Sequence, residues 1–140
     1  MILFCDTSAL VKLYVQEEGS EQVMRRAAEA DAVAVSRIAW VEAVSAMARR
    51  AREQPQDAAA LALARDRFTA DWPHYVKVEV DQSLVELAGD YADTFALRAY
   101  DSVQLASAQT LNRELPGEVV FACFDTRLVK AGKVLGLLNL

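Results

Sequence analysis

Residues 2–14 read ILFCDTSALVKLY. Ile2 to Cys5 form an unbroken apolar run of the length and kind that a strand buried on both faces requires. Asp6 interrupts the run, Thr7 and Ser8 follow, and from Ala9 the apolar residues recur with another period, at Leu10, Leu13 and Tyr14. A strand that passes through an acid into a helix opens a β–α unit, and the same order repeats along the chain. AVAVS (32–36) is a second short, β-branched run, YVKVEV (75–80) alternates as a third strand, EVVFACF (118–124) is a fourth, and LLNL (137–140) is a short last one.

Helical spacing fills the intervals. TSALVKLYV (7–15) and SEQVMRRAAEA (20–30) form two helices, with Gly19 as the break between them and Ser20 as an N-cap. Arg37 to Gln54 runs as one long helix, because Ile38, Val41, Val44, Ala48 and Ala51 recur at helical intervals. Pro55 ends it, and Asp57 caps DAAALALARDRFTADW (57–72), which stops before Trp72-Pro73 because a residue preceding proline disfavours the helical region. Asp81 caps the next helix; YDSVQLASAQTLNREL (100–115) runs up to Pro116-Gly117, and TRLVKAGKVLG (126–136) follows the fourth strand. No repeat, linker or low-complexity segment interrupts the order. Strands alternating with helices predict one α/β domain over residues 1–140, a mainly parallel central sheet of about four to five strands flanked by helices in three layers.

The composition agrees: 54% of residues are hydrophobic and 25% charged, the balance of a packed domain rather than a disordered chain. No apolar run reaches the roughly 18 residues of a membrane span. Asp6 breaks the apolar start, so the N-terminus does not read as a signal peptide, and the expected location is the cytoplasm. Cys5 and Cys123 each sit in apolar runs without CxxC spacing and read as small buried hydrophobes rather than a disulfide or a zinc site. A formal charge of −5 argues against bulk electrostatic attraction to nucleic acid.

Four acids stand apart from the rest. Asp6 and Asp125 fall at the carboxyl ends of strands, the edge where open α/β sheets bind ligands. Glu42 in IAWVEAVSAM and Asp101 in LRAYDSVQLASA are framed by apolar residues. Singly, each has an ordinary account: Asp6, Asp101 and Asp125 as N-caps, Glu42 in an ion pair with Arg37, Arg98 or another arginine. Together they form an all-oxygen set suited to Mg2+ or Mn2+, and the lone histidine, His74, follows Pro73 at a turn and adds no softer ligand.

The segments ILFCDTSALVKLY, IAWVEAVSAMARR, LRAYDSVQLASA and FACFDTRLVKAG resemble, in order and approximate spacing, the PIN-domain ribonucleases, and most closely the VapC toxins of type II toxin–antitoxin pairs. The resemblance spans nearly the whole chain, and its specificity lies in the set of segments rather than in any one. It implies an acidic pocket of Asp6, Glu42, Asp101 and Asp125 that binds Mg2+ or Mn2+, with a supporting hydroxyl on Thr7 or Ser8. It further implies RNA cleavage leaving a 5′-phosphate and a 3′-hydroxyl, a homodimer, and inhibition by a cognate antitoxin protein. Two departures stand out: Cys123 occupies a position where relatives carry Thr, and Gln104 one where histidine is frequent. The second is expected to affect helix packing or partner contacts more than the metal.

The expected chemistry is metal-assisted phosphodiester hydrolysis, with Asp6 and Asp101 as main anchors and Glu42 and Asp125 bound directly or through water. Local basic residues offer RNA contacts: Arg49, Arg50 and Arg52, then Arg65 and Arg67, with Lys12 and Arg98 nearer the acids. A solvated helix face is the ordinary account of the arginine cluster. Haloacid-dehalogenase-type phosphotransferases also begin with a strand-end Asp but need a second Asp two residues on, where this chain has Ser8. A non-catalytic RNA- or protein-binding module, or a PIN nuclease of RNA processing without an antitoxin, is the competing reading. Leu10, Leu13 and Tyr14, and the stripe Ala60, Leu61, Leu63, Ala64, Phe68 and Trp72, are expected in the core, with a partner surface as the alternative.

Overall fold

The computed structural model describes all residues, 1–140. The chain runs β1 (Ile2–Cys5), α1 (Thr7–Lys12), α2 (Ser20–Glu29), β2 (Ala32–Ser36), α3 (Ala39–Glu53), α4 (Ala58–Asp71), β3 (Val76–Val78), α5 (Gln82–Phe95), α6 (Ala99–Glu114), β4 (Val119–Ala122), α7 (Thr126–Val134) and β5 (Leu138–Asn139). The five strands are all parallel, in the order β3-β2-β1-β4-β5. No helix is long and apolar enough to cross a membrane.

Strand alternation builds two cores from one sheet. Phe4, Ala34, Val119 and Phe121 face α5, α6 and α7, whereas Leu3, Cys5, Val35, Val120 and Ala122 face α1 to α4. The second core is aromatic: Phe68 is fully buried, stacks on Trp40 at 5.0 Å and meets Tyr14 edge-on at 5.4 Å. Burying one such ring stabilises the fold by roughly 1.5–3 kcal/mol. Leu61 and Ala64 join it while Leu63 is left exposed, so most of the apolar stripe of α4 is core.

The strand order follows from the path of the chain. From β1 it moves outward through β2 to β3 with α1–α4 on one face, then returns through α5 and α6 on the other face to place β4 against β1. The direction of winding therefore reverses between β1 and β4, the switch point at which sheets of this type open a crevice. Ile2 pairs with Val119 and Cys5 with Ala122, and the Asp6 amide donates to the Ala122 carbonyl at 3.1 Å, so the ends of the two strands lie side by side.

Several local expectations change. Arg37 and Ile38 form a turn ahead of α3 rather than its first residues. Ser20 does not cap α2: Gly19 holds that place at φ +89°, and the Ser20 hydroxyl accepts from the Glu17 amide and donates to the Val15 carbonyl. Gly19 is required there, since a Cβ would stand 2.7 Å from the Phe124 ring. Asp57 makes no side-chain cap, because Pro55 starts a 3-10 turn over Pro55–Asp57 that ends α3 and leads directly into α4. Trp72 keeps helical dihedrals (φ −50°, ψ −43°) despite preceding Pro73, and a second 3-10 turn, Trp72–His74, finishes α4. Both cysteines are buried and free.

Candidate active site

Each of the four singled-out acids stands at the N-terminal end of a helix. Asp6 caps α1, its Oδ1 accepting from the Ala9 amide at 2.9 Å, and Asp125 caps α7 by the same bond to Leu128 at 2.9 Å. Glu42 lies in the first turn of α3 and Asp101 in the first turn of α6. Asp101 is thus inside its helix and not the cap; Arg98 precedes it in that place. Positive ends of helix dipoles converge on the acids and offset part of their mutual repulsion.

These side chains come together. Asp6, Glu42, Asp101 and Asp125 line one cleft of about 620 Å3 at the carboxyl edge of the sheet, with Thr7, Ser8, Arg49, Arg98, Tyr100 and Gln104 among its other walls. No three of the acids close directly on a common point, so the cleft is a ring of carboxylates rather than a tight cage.

The hydroxyls divide the work. Ser8 donates to Asp6 Oδ1 at 2.7 Å, and Thr7 donates to Glu42 Oε1 at 2.9 Å. The two are therefore not alternatives for one contact; each orients its own carboxylate. Glu42 has no ion pair, because Arg37 is taken by Glu79 and Arg98 by Asp101 at 3.4 Å. Its second donor is Gln104, whose Nε2 lies 2.7 Å from Glu42 Oε1 and 3.0 Å from Thr7 Oγ1. The expectation that Gln104 serves packing or partner contacts is thus corrected: this side chain, only 2% exposed, is part of the acid cleft. Its three-residue spacing from Asp101 on α6, which puts both on one helix face, was the signal available in the sequence.

Burial pushes the Asp6 carboxyl above its ordinary range; bonds from Ser8 and Ala9 pull the other way, and the nearby Asp101 charge adds to the rise. Asp6 is 5% exposed with no cation paired to it. Cys123 turns its thiol toward the Asp125 carbonyl at 3.8 Å, and burial raises its pKa so that it remains a thiol.

The basic residues distribute unevenly. Arg49 and Arg98 line the acid cleft; Lys12 and Arg50 line a neighbouring one and are both bound to Glu17, at 3.0 and 2.9 Å. Arg52 and Arg65 lie away from both clefts, and Arg67 donates to the Tyr14 carbonyl at 3.0 Å, a structural contact. The sequence reading missed Tyr100, Arg127 and Lys130, which stand at or beside the acids.

The ribonuclease VapC45 of Mycobacterium tuberculosis is 35% identical over 127 residues, covering 91% of this chain and 86% of that protein. Among solved structures, a toxin–antitoxin complex from Klebsiella pneumoniae superposes with a TM-score of 0.62 at 21% identity, covering 90% of this chain and 88% of that one. VapC20 of M. tuberculosis, described as a sarcin-ricin-loop-cleaving toxin, gives 0.64 at 19% identity, covering 93% and 95%. The PIN-domain model matches residues 3–134, from β1 through α7, and the chain belongs to the PIN-domain family.

Proposed function

We propose that residues 1–140 act as one PIN domain: a Mg2+- or Mn2+-dependent endoribonuclease of the cytoplasm, the toxin of a type II pair, working as a homodimer held in check by an antitoxin. The observation that carries the reading is the meeting of Asp6, Glu42, Asp101 and Asp125 in one cleft at the β1/β4 switch point. Its relatives named VapC ribonucleases, and the toxin–antitoxin complexes of the same fold, support the activity and the partner.

The residues fit a hard divalent ion. The donors are all oxygen, Asp6 is buried without a cation, and Gln104 Oε1 is a buried acceptor with no donor. Because the acids do not close on one point, the cleft suits an ion that keeps part of its water shell, as Mg2+ does, with ordered water supplying the donor Gln104 lacks. When bound, such an ion makes a water acidic enough to attack at neutral pH and neutralises charge on the phosphodiester. Asp6 and Asp101 are the proposed anchors, with Glu42 and Asp125 acting directly or through water. Ser8 and Thr7 hold Asp6 and Glu42 in place, and the amide of Gln104 donates to the same Glu42 oxygen as Thr7. Arg49 and Arg98 at the rim, and Lys12 and Arg50 beyond it, are the proposed contacts to the RNA backbone.

The test is cleavage of total cellular RNA by the purified protein. Degradation with Mg2+ that stops in EDTA and in Asp101→Asn is the expected result; cleavage indifferent to both contradicts the proposal.

A further inference from the structure

The acid cleft is the middle of a longer trough. On one side a cleft of about 400 Å3 shares Thr7, Ser8 and Arg49 with it; on the other a cleft of about 720 Å3 shares Arg98, Asp101 and Asp125. Cations stand at both ends, but in different states. On the α1/α3 side, Lys12 and Arg50 both bind Glu17, Lys12 also lies over the Phe124 ring at 4.7 Å, and Arg49 pairs with Glu53 at 3.9 Å. Burial alone would raise the Glu17 carboxyl, but the bonds from Lys12 and Arg50 hold it below the ordinary range, so it is charged at neutral pH. Every cation at that end of the trough is already engaged by a carboxylate.

On the α7 side Arg127 and Lys130 are exposed and form no ion pair. The Arg127 guanidinium makes a single bond, from Nη1 to the Ala96 carbonyl at 3.4 Å, which leaves its other donors free. Between the ends, Tyr100 on the cleft wall is 63% exposed, an aromatic ring presented to solvent beside the acids. Open cations on one side of a hydrolytic site and an uncovered ring at its rim match a strand with accessible bases, since a base stacks on such a ring only when it is not already paired and stacked in a duplex.

Resting on the ribonuclease reading, we infer that the substrate segment is single-stranded RNA gripped asymmetrically: its phosphates bind Arg127 and Lys130 on the α7 side, a base stacks on Tyr100, and Glu17 keeps Lys12 and Arg50 from contributing comparably. Glu17 thereby sets how much of the strand the enzyme holds. Its removal releases two cations and lengthens the grip.

Binding measured by fluorescence anisotropy tests this, using a short labelled random-sequence RNA strand and its duplex, with Mg2+ and a KCl series, in the Asp101→Asn background so that the strand stays intact. Loss of two phosphate contacts in Arg127→Ala/Lys130→Ala lowers the slope of log affinity against log salt by about 1.4. Arg49→Ala/Arg50→Ala lowers it by less than half as much, and Glu17→Gln raises it. Tyr100→Ala weakens the single strand by at least about fivefold and leaves the duplex unchanged. An unchanged slope in Arg127→Ala/Lys130→Ala, or a larger loss in Arg49→Ala/Arg50→Ala, overturns the asymmetry while leaving the ribonuclease reading intact. If the parent protein binds no RNA at any salt and the wild type cleaves none, both readings fail together.

Discussion

Asp6 and Asp125 occupy the same local structure. Each follows a parallel strand, Asp6 directly and Asp125 after Cys123 and Phe124, precedes a threonine, and caps the following helix by accepting one amide bond at 2.9 Å. They differ in what surrounds them: Asp6, at the end of the central strand β1, is buried and held by Ser8, whereas Asp125, at the end of β4, is half-buried and takes no second side-chain donor. Asp81 shares the cap, made to α5 by a 2.9 Å bond to Leu84, though Gln82 follows it; it sits beyond the edge strand β3 in a different cleft with Thr110 and Arg113. Capping is therefore a property of a few consecutive residues, and membership of the site is a property of strand order.

The largest effect should separate these three aspartates by function. Asparagine caps a helix about as well as aspartate, so Asp6→Asn, Asp125→Asn and Asp81→Asn all keep the fold. RNA cleavage should fall by about a hundredfold or more in the first two and stay at wild-type level in Asp81→Asn, since replacing even an outer partner of a metal typically costs about 10–100-fold. Equal activity for Asp6→Asn and Asp81→Asn would break the comparison.

A smaller effect should mark out Asp6 by pH. The Asp6 carboxyl is raised in the folded protein, so its contribution without metal is most favourable below the ordinary carboxylate pKa and is lost as pH rises through the raised value. Melting curves in EDTA across that window should show Asp6→Asn gaining on the wild type as pH rises.

Smaller still are the hydroxyls. Ser8→Ala removes a donor to a buried carboxylate, and this should cost about 1–3 kcal/mol in EDTA by urea unfolding, with roughly tenfold lower cleavage. Thr7→Val leaves Glu42 its bond from Gln104 and should lose less on both counts; a larger loss than Ser8→Ala would mean that Glu42, not Asp6, is the more tightly held acid.

The parts of this molecule legible in its sequence are those set by short-range chemistry. All five strands, their parallel class and the caps at Asp6, Asp81 and Asp125 follow from runs of neighbouring residues. The caps that failed were also decided locally, by competing bonds and turns that a capping pattern does not reveal. Ser20 spends its hydroxyl on the Val15–Glu17 turn, and Asp57 is caught in the 3-10 turn that Pro55 begins. The four acids were legible as a set, from two strand-end aspartates and two acids in apolar frames, but their meeting was not, because the return of β4 to lie against β1 brings Asp125 to the Asp6 cleft across more than a hundred residues. The partners of Glu42 were not legible as such. Arginines near it in sequence looked like counter-ions, but Arg37 turns to Glu79 and the void is filled by an uncharged amide from α6.

The central claim, that the buried Asp6 anchors a divalent ion at the β1/β4 switch point, is tested most directly by melting the wild type and Asp6→Asn in a Mg2+ series at neutral pH. A ligand at a hundredfold excess over its Kd adds about 2.7 kcal/mol of stability, a rise of several degrees in a domain of this size. The wild type should show that rise and Asp6→Asn should lose most of it. An equal rise in both proteins would contradict the account.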